Sequence, residues 1–452
     1  MASILMLCHD QILDRRVLAQ AESLIAKGHS VRLLAIALES ETVEEKIGNG
    51  IDLVRIGLVY IIPENITYKK YISRQQALNQ WVNKQCNEFP RGAWFHRRVF
   101  SIGSKLHWQA YRWTMNFRYR NRTMHDPLPF RSAFVSHAEK YQADLVQVHD
   151  LPALAAGSEL AERWKVPLVY DAHELYPEQK SFSAVQRRIC SEAEALYIKK
   201  ARLVFAVNES IGEEMAKRYS ISKPITLLNA IDPPVEFDPA IRYDFFREKL
   251  GIPAEKKILL FQGGFAPHRN LEALIKAMTY VSHPDVVLVM MGFGNFGEFL
   301  KKKAIKLRLL GSRIYFLPAV SQGELLQHSA SADIGIIPYP HIDLNSYYCT
   351  PNKLFEFIQA GLPILANDSP ELNRFVKLNG FGYSAKMDSA LDIATAIDMA
   401  FRMNNGVEWR ENIKRKRNDL AWKLQDNIYS FEMAKIFDTL KFSNISDLGK
   451  DF

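Results

Sequence analysis

Residues 258–278 read ILLFQGGFAPHRNLEALIKAM. Ile258–Gln262 is an apolar run of strand length, Gly263-Gly264 is a turn, and Leu271–Met278 has helical spacing. A buried strand that passes through a glycine turn into an amphipathic helix is one unit of a parallel α/β sheet. The same rhythm recurs on both sides of it. Downstream, strands are expected at Val286–Met291, Ile314–Leu317, Ile334–Ile337 and Ile364–Ala366, with a helix at Leu354–Ala360. Upstream they are expected at Ser3–Cys8, Val31–Ala37, Leu145–Val148, Leu168–Tyr170 and Leu203–Val207. Val17, Ala21, Leu24 and Ile25 form the first helical face, and Gly28 suits the left-handed residue that ends it.

The two series meet at Asn229–Asp238, NAIDPPVEFD, whose paired prolines and lack of periodicity read as a linker. The expected fold class is therefore α/β, with two doubly wound Rossmann-like domains facing a cleft, where open α/β sheets bind ligands. The expected boundaries are 1–230, carrying a basic aromatic insertion at about 84–130, then 231–425, then a terminal helix 426–452 that crosses back to the first domain. That last helix belongs to a charged helical stretch, Trp409–Leu440.

A length of 452 residues exceeds what one hydrophobic core supports, and 48% hydrophobic with 24% charged residues excludes disordered and fibrous classes. Cys8, Cys86, Cys190 and Cys349 show no paired spacing, which argues against a disulfide framework or a zinc site. The first apolar run stops at His9-Asp10, too short for a secretory leader, and no stretch reaches the length of a membrane span. The expected location is cytoplasmic, with any membrane contact peripheral and on the inner face.

Fifty-eight basic against fifty acidic residues give +8, which calls for an anionic partner. The surplus has an address. Between Glu88 and Asp126 stand eight Lys or Arg and no acid, interleaved with Trp94, Trp108, Trp113 and other aromatics. The segment 89–125 reads either as a face for an anionic membrane or as a helical insertion with a solvated basic side. No nucleic-acid-binding module accompanies it, so nucleic acid is not the expected partner.

Three motifs carry chemistry. In Gln262-Gly263-Gly264-Phe-Ala-Pro-His268-Arg269 the glycines admit a ligand close to the backbone, and Arg269 can fork onto a phosphate; the plain alternative is a turn with a solvated arginine. Thr350-Pro351-Asn352-Lys353-Leu-Phe-Glu356 reads as a helix start, with Thr350 as cap and Pro351 first in the helix. Such a start attracts anions, Lys353 adds charge, and Glu356 in an apolar stretch needs a polar partner. Gly292-Phe-Gly294-Asn-Phe-Gly297 has the form of a dinucleotide fingerprint, but about twenty residues on, where an acid should hold a ribose, stands Phe316-Leu317-Pro318.

Taken together, PNKLFEFIQAGLPILAND, GGFAPHRN, LLNAID at 227–232, SADIGIIPY at 331–339 and VHD at 148–150 resemble the family 4 glycosyltransferases of GT-B fold. The resemblance runs from about Ile4 to Tyr429 and is weakest in the basic insertion. It implies a retaining, metal-independent transfer of a sugar, hexosyl-like, from a nucleoside-diphosphate donor to a polysaccharide or lipid-linked glycan acceptor, with no cofactor. By the same resemblance, the donor would meet Gly263, Gly264, Arg269, Gly292, Gly294, Pro318, Val320, Thr350, Asn352, Lys353 and Glu356. His149 and Arg269 would act on the reacting centre, and Asp14, Arg16 and His173 would bind the acceptor. Metal ligands are not expected, and the chain contains no Asp-x-Asp pair. Two departures from the family pattern stand out: Gly264 where many members carry a second arginine, and Tyr348 where they carry the first of two glutamates. These departures motivate the alternative, a catalytically degenerate GT-B chain that serves as a binding partner of another glycosyltransferase.

Overall fold

The computed structural model describes residues 1–37, 41–57, 66–88, 98–107, 109–110, 130–239, 241–403 and 405–448. They divide into two compact units. The first comprises Met1–Asp14, His29–Leu168 and Phe182–Lys200; the second comprises Arg15–Gly28, Val169–Ser181 and Ala201–Phe452. Most of the basic aromatic segment 89–125 lies outside the described residues, and within it 98–107 and 109–110 are helical.

In the first unit, β1 (Ser3–Cys8), β2 (Ser30–Ile36), β3 (Val43–Ile47), β4 (Ile51–Ile56) and β5 (Leu145–His149) form the order β3-β4-β2-β1-β5. All neighbours are parallel except the β3–β4 hairpin, which turns through Gly48 and Gly50 at positive φ. From Ile4 to Cys8 β1 is fully buried, as expected of a strand covered on both faces. The helix Leu151–Trp164 presses on β5 at Gly157, where a Cβ would stand 2.1 Å from Val148 Cγ1, so only glycine permits this approach.

The second unit contains the parallel ladder β6 (Leu168–Ala172), β7 (Leu203–Ala206) and β8 (Ile225–Thr226). It also holds a six-stranded parallel sheet of β9 (Lys257–Gly264), β10 (Val286–Phe293), β11 (Ile314–Pro318), β12 (Ile334–Ile337), β13 (Ile364–Asn367) and β14 (Gly382–Ala385). Its order, β11-β10-β9-β12-β13-β14, is the 3-2-1-4-5-6 winding of a Rossmann fold. Alternation along β9 builds two cores. Leu259 and Phe261 join Leu271, Leu274 and Ile397 on one face; Ile258 and Leu260 join Leu354, Phe355 and Ile358 on the other. Each fully buried side chain of this size contributes about 1.5–3 kcal/mol. The fold class is α/β with two Rossmann-like parallel sheets.

Three local expectations are corrected. Pro351, not Thr350, is the residue preceding the helix Asn352–Gln359, and the buried Thr350 hydroxyl instead accepts from Asn208 Nδ2 at 3.2 Å. The stretch 229–238 is irregular, yet Ala230 and Phe237 are buried in the core beneath β9, and Phe237 stacks on Tyr243. The charged helical stretch is broken: Gly406–Lys416 ends in a 3-10 turn at Arg417–Leu420 before Trp422–Leu448 begins. Gln359 Nε2 donates to the carbonyls of Arg417 and Leu420 at 2.9 and 3.2 Å, supplying partners for two groups at the break. The terminal helix packs on Phe205 of β7 through Tyr429, and Gln425 Oε1 accepts from the Leu228 N–H.

Candidate functional site

The winding of the six-stranded sheet reverses between β9 and β12, and the crevice beyond the C-terminal ends of those strands is where such sheets bind ligands. Gly263 and Gly264 end β9 there, paired with Gly292 and Phe293 of β10. The three glycines of the GxGxxG motif are explained by this pairing. A Cβ on Gly292 would lie 1.9 Å from the Gly263 oxygen, one on Gly294 (φ +120°) would lie 2.6 Å from the Phe265 oxygen, and one on Gly297 would lie 2.9 Å from the Phe265 ring. The motif locks two neighbouring turns together, which requires no dinucleotide. Pro318 closes β11 beside Gly292, exposed, and Val320 is half-buried against the core.

Two cations converge on the glycine turn. Arg269 reaches back to donate to the Gly264 oxygen at 3.2 Å, and a Cβ on Gly264 would touch its Nη1 at 3.4 Å. Lys353, in the first turn of the helix Asn352–Gln359, is 5% exposed and points its Nζ to 3.5 Å from where a Gly263 Cβ would be. Among the described residues no hydrogen-bond partner reaches that ammonium, which sits 3.7 Å above the Phe261 ring centroid and 5.0 Å from that of Tyr339. Burial, and then the nearby Arg269 charge, push the Lys353 pKa well below that of an ordinary lysine. Burial pushes the Tyr339 phenol up to about 12, so it stays neutral between the two cations.

Glu356 has the partners its apolar surroundings demand. One oxygen accepts from Gln262 Nε2 at 2.6 Å and the other from Arg15 Nη2 at 2.6 Å. Gln262 is fixed in turn by the Ser329 hydroxyl on its Oε1 at 2.7 Å. Sequence reasoning missed both partners. Gln262 had a signal, being the polar residue in an otherwise apolar strand; Arg15 had none that set it apart from Arg16.

Arg16 does something other than the expected acceptor contact. It is 3% exposed, with Nε on Asp171 Oδ2 at 2.9 Å, Nη2 on Asp171 Oδ1, and Nη1 on the Leu227 oxygen. Asp171 also accepts from Gln20 Nε2 at 2.6 Å and lies 3.2 Å from His173 Nε2. Arg16 thus ties the helix Arg15–Ala26 to β6 and to the chain after β8. Asn352 Oδ1 accepts from Asn229 Nδ2 at 2.9 Å, and the Tyr348 carbonyl accepts from Asn208 Nδ2 at 2.7 Å. In the first unit, His149 is the buried last residue of β5, with Nε2 3.3 Å from Gln147 Nε2. Asp150 follows at φ +59°, a backbone region that costs a non-glycine residue about 1–3 kcal/mol. Asp14 is also in the first unit.

Two Rossmann-like sheets, with a glycine turn and a convergent cation pair at the switch point of the second, define an α/β protein with a crevice suited to an anionic ligand. Two family models match the chain, a glycosyl transferase 4-like domain over residues 13–228 and a glycosyl transferases group 1 domain over 243–418. The chain belongs to the glycosyltransferases of GT-B fold and family 4 type. A D-inositol 3-phosphate glycosyltransferase of Xylanimonas cellulosilytica is 24% identical over 218 residues, 45% of this chain and 52% of the relative. A glycosyltransferase of Methanocaldococcus jannaschii is 24% identical over 254 residues, 53% of this chain and 60% of the relative. The match thus spans little more than half the length of these curated relatives. Among solved structures, sucrose-phosphate synthase of Thermosynechococcus elongatus aligns over 98% of this chain and 100% of its own with TM-score 0.65 at 16% identity. The Anabaena protein HepE in complex with UDP-glucose aligns over 96% and 100% with TM-score 0.60 at 14% identity. At these identities the likeness is one of fold.

Proposed function

We propose that this chain transfers a hexosyl group from a nucleoside-diphosphate sugar to a hydroxyl of a polysaccharide or lipid-linked glycan, with retention of configuration and without a metal ion or cofactor. The observation that carries this reading is the buried Lys353 ammonium, unpartnered and beside Arg269, over a glycine turn at the switch point. An anion placed there would gain two charge-assisted contacts and relieve a like-charge repulsion. A diphosphate meets that need, and the solved complex of HepE with UDP-glucose supports a nucleotide sugar as its source.

In the reaction, the bond from the anomeric carbon to the diphosphate oxygen breaks, and the charge left on that oxygen falls to Arg269 and Lys353. The acceptor hydroxyl oxygen attacks the same face of the carbon, and its proton passes to the departing phosphate oxygen. Glu356 would take the ribose hydroxyls, exchanging Arg15 for them, while the backbone at Gly292, Gly294, Thr350, Asn352, Pro318 and Val320 borders the nucleotide. His149 would hydrogen-bond the transferred sugar, and Asp14 and His173 the acceptor; these roles rest on the family resemblance. The test is nucleoside diphosphate release from a panel of UDP-, GDP- and ADP-hexoses with and without glycan acceptors. Release from one donor class is expected. Binding without release from any donor would favour the degenerate alternative.

The acceptor reading includes a peripheral stance on an anionic membrane through segment 89–125. Among its described residues, Val99, Ile102 and Leu106 are 47%, 53% and 60% exposed, at helical spacing, with exposed Lys105 beside them. Among the described residues no helix is long and apolar enough to cross a bilayer. Flotation with vesicles rich in anionic lipid should carry the protein upward at low salt and release it as salt rises. Absence of binding at low salt would remove the membrane from the proposal.

A further inference from the structure

The same six-stranded sheet carries a second concentration of positive charge at its other end. A cavity of about 630 Å³ opens at the N-terminal ends of β9, β12 and β13, within the 300–1,000 Å³ range of small-molecule sites. Arg242, Arg247, Lys257, Arg410, Lys414 and Arg417 line it, six cations against the carboxylates of Asp333 and Glu411. Lys257 begins β9 and Gly264 ends it, so the cavity and the glycine turn are separated by roughly 23 Å at about 3.3 Å per residue.

Two of these cations are held by the backbone. Arg410 donates to the carbonyls of Gly361, Ala332 and Asp333 at 3.1, 3.0 and 3.3 Å, and Arg247 to that of Lys256 at 2.7 Å. Asp333 is engaged elsewhere, accepting from the Ile258 N–H at 2.7 Å, with Arg247 3.6 Å away. Among the described residues Arg242, Lys257, Lys414 and Arg417 form no ion pair, and the Arg247 Nε is buried without a partner. Burial draws the pKa of Arg410 and Arg417 down; Asp333 works against this at Arg410, and Arg242 works with it. Arg247 is paired with Asp244 at 2.6 Å, and Asp333 and Asp238 offset part of the charge on Arg410 and Arg417, which still leaves the six cations in excess of the carboxylates around them.

We propose that this cavity is a second ligand site, for a soluble small anion bearing two or more phosphate groups. Planar guanidinium forks match phosphate oxygens in pairs, and the volume exceeds what a single inorganic ion fills. The site is separate from the donor crevice and does not depend on the reading given to it.

Calorimetric titration with inorganic pyrophosphate at low salt tests the proposal. Arg242 and Lys414 are exposed, so Arg242→Gln with Lys414→Gln removes two charges without disturbing the core, which circular dichroism would verify. Relative to the parent, this double variant is expected to lose one bound pyrophosphate per chain, or to bind it at least tenfold more weakly. Arg269→Ala should retain that site. Lys416→Gln, on the same helix but outside the cavity, should behave as the parent. Unchanged stoichiometry and affinity in the double variant, or an equal loss in Lys416→Gln, would overturn the assignment.

Discussion

Lys353→Met should give a protein that is more stable than the parent and has lost its hold on a nucleoside diphosphate. An uncompensated buried charge costs on the order of 3 kcal/mol, and the stacking of the ammonium on Phe261 returns about 1–2 of that. The unbranched methionine fills the same space, so a gain of about 1–2 kcal/mol is expected in urea unfolding. The gain depends on pH in a set direction. Because the folded pKa of Lys353 is depressed, both states are protonated below it and the full penalty stands. Between that value and the ordinary lysine pKa of about 10.4 the unfolded chain binds more protons, so the stability of the parent climbs with pH. The gap between parent and variant should therefore be widest at low pH and close toward pH 10. Donor use moves the other way, since removing one charge from a dry anion site costs about 10²–10³-fold. A variant no more stable than the parent, with donor use intact, would contradict the assignment.

Asp171→Asn should be the most damaging isosteric change in the second unit. The carboxylate is fully buried and receives the Arg16 guanidinium through two nitrogens, together with Gln20. The amide keeps the volume but leaves the Arg16 charge without its counter-ion, a loss of about 3–5 kcal/mol. Replacing both residues together, Arg16→Met with Asp171→Leu, should cost much less, because no charge is left behind. Thermal and urea midpoints of the three proteins decide the matter. A loss under about 1 kcal/mol in Asp171→Asn would show that Arg16 is not held as described.

Sequence pattern carried the sheet well, for a physical reason. Strands of a parallel sheet are covered on both faces, so β1, β10 and β12 stand out as apolar runs, and so does β9 from Ile258 to Phe261. The β3–β4 hairpin escaped because β3, VEEKI, is mostly exposed and lacks such a run. The short β8 and β14 escaped because neither is buried along its length. At the site, Arg269, Lys353 and Glu356 were legible because glycines and a helix start flag ligand chemistry. Their neighbours were not. Arg15 and Arg16 are adjacent and identical in type, and only the turn of the helix sends one to Glu356 and the other to Asp171. Tyr339 and Phe261 read as core aromatics, and nothing in the sequence shows that a lysine lies over both.

The proposed donor site is one in which Arg269 and Lys353 hold the diphosphate of a nucleotide sugar at the switch point of the second sheet. Calorimetric titration of UDP into the parent and into Arg269→Ala tests it most directly, with GDP and ADP as further titrants. Saturable binding of one of these nucleotides at a single site is expected, weakened at least a hundredfold in Arg269→Ala while the fold is unchanged. Binding of equal strength in the two proteins, or none of any nucleotide to the parent, would contradict it.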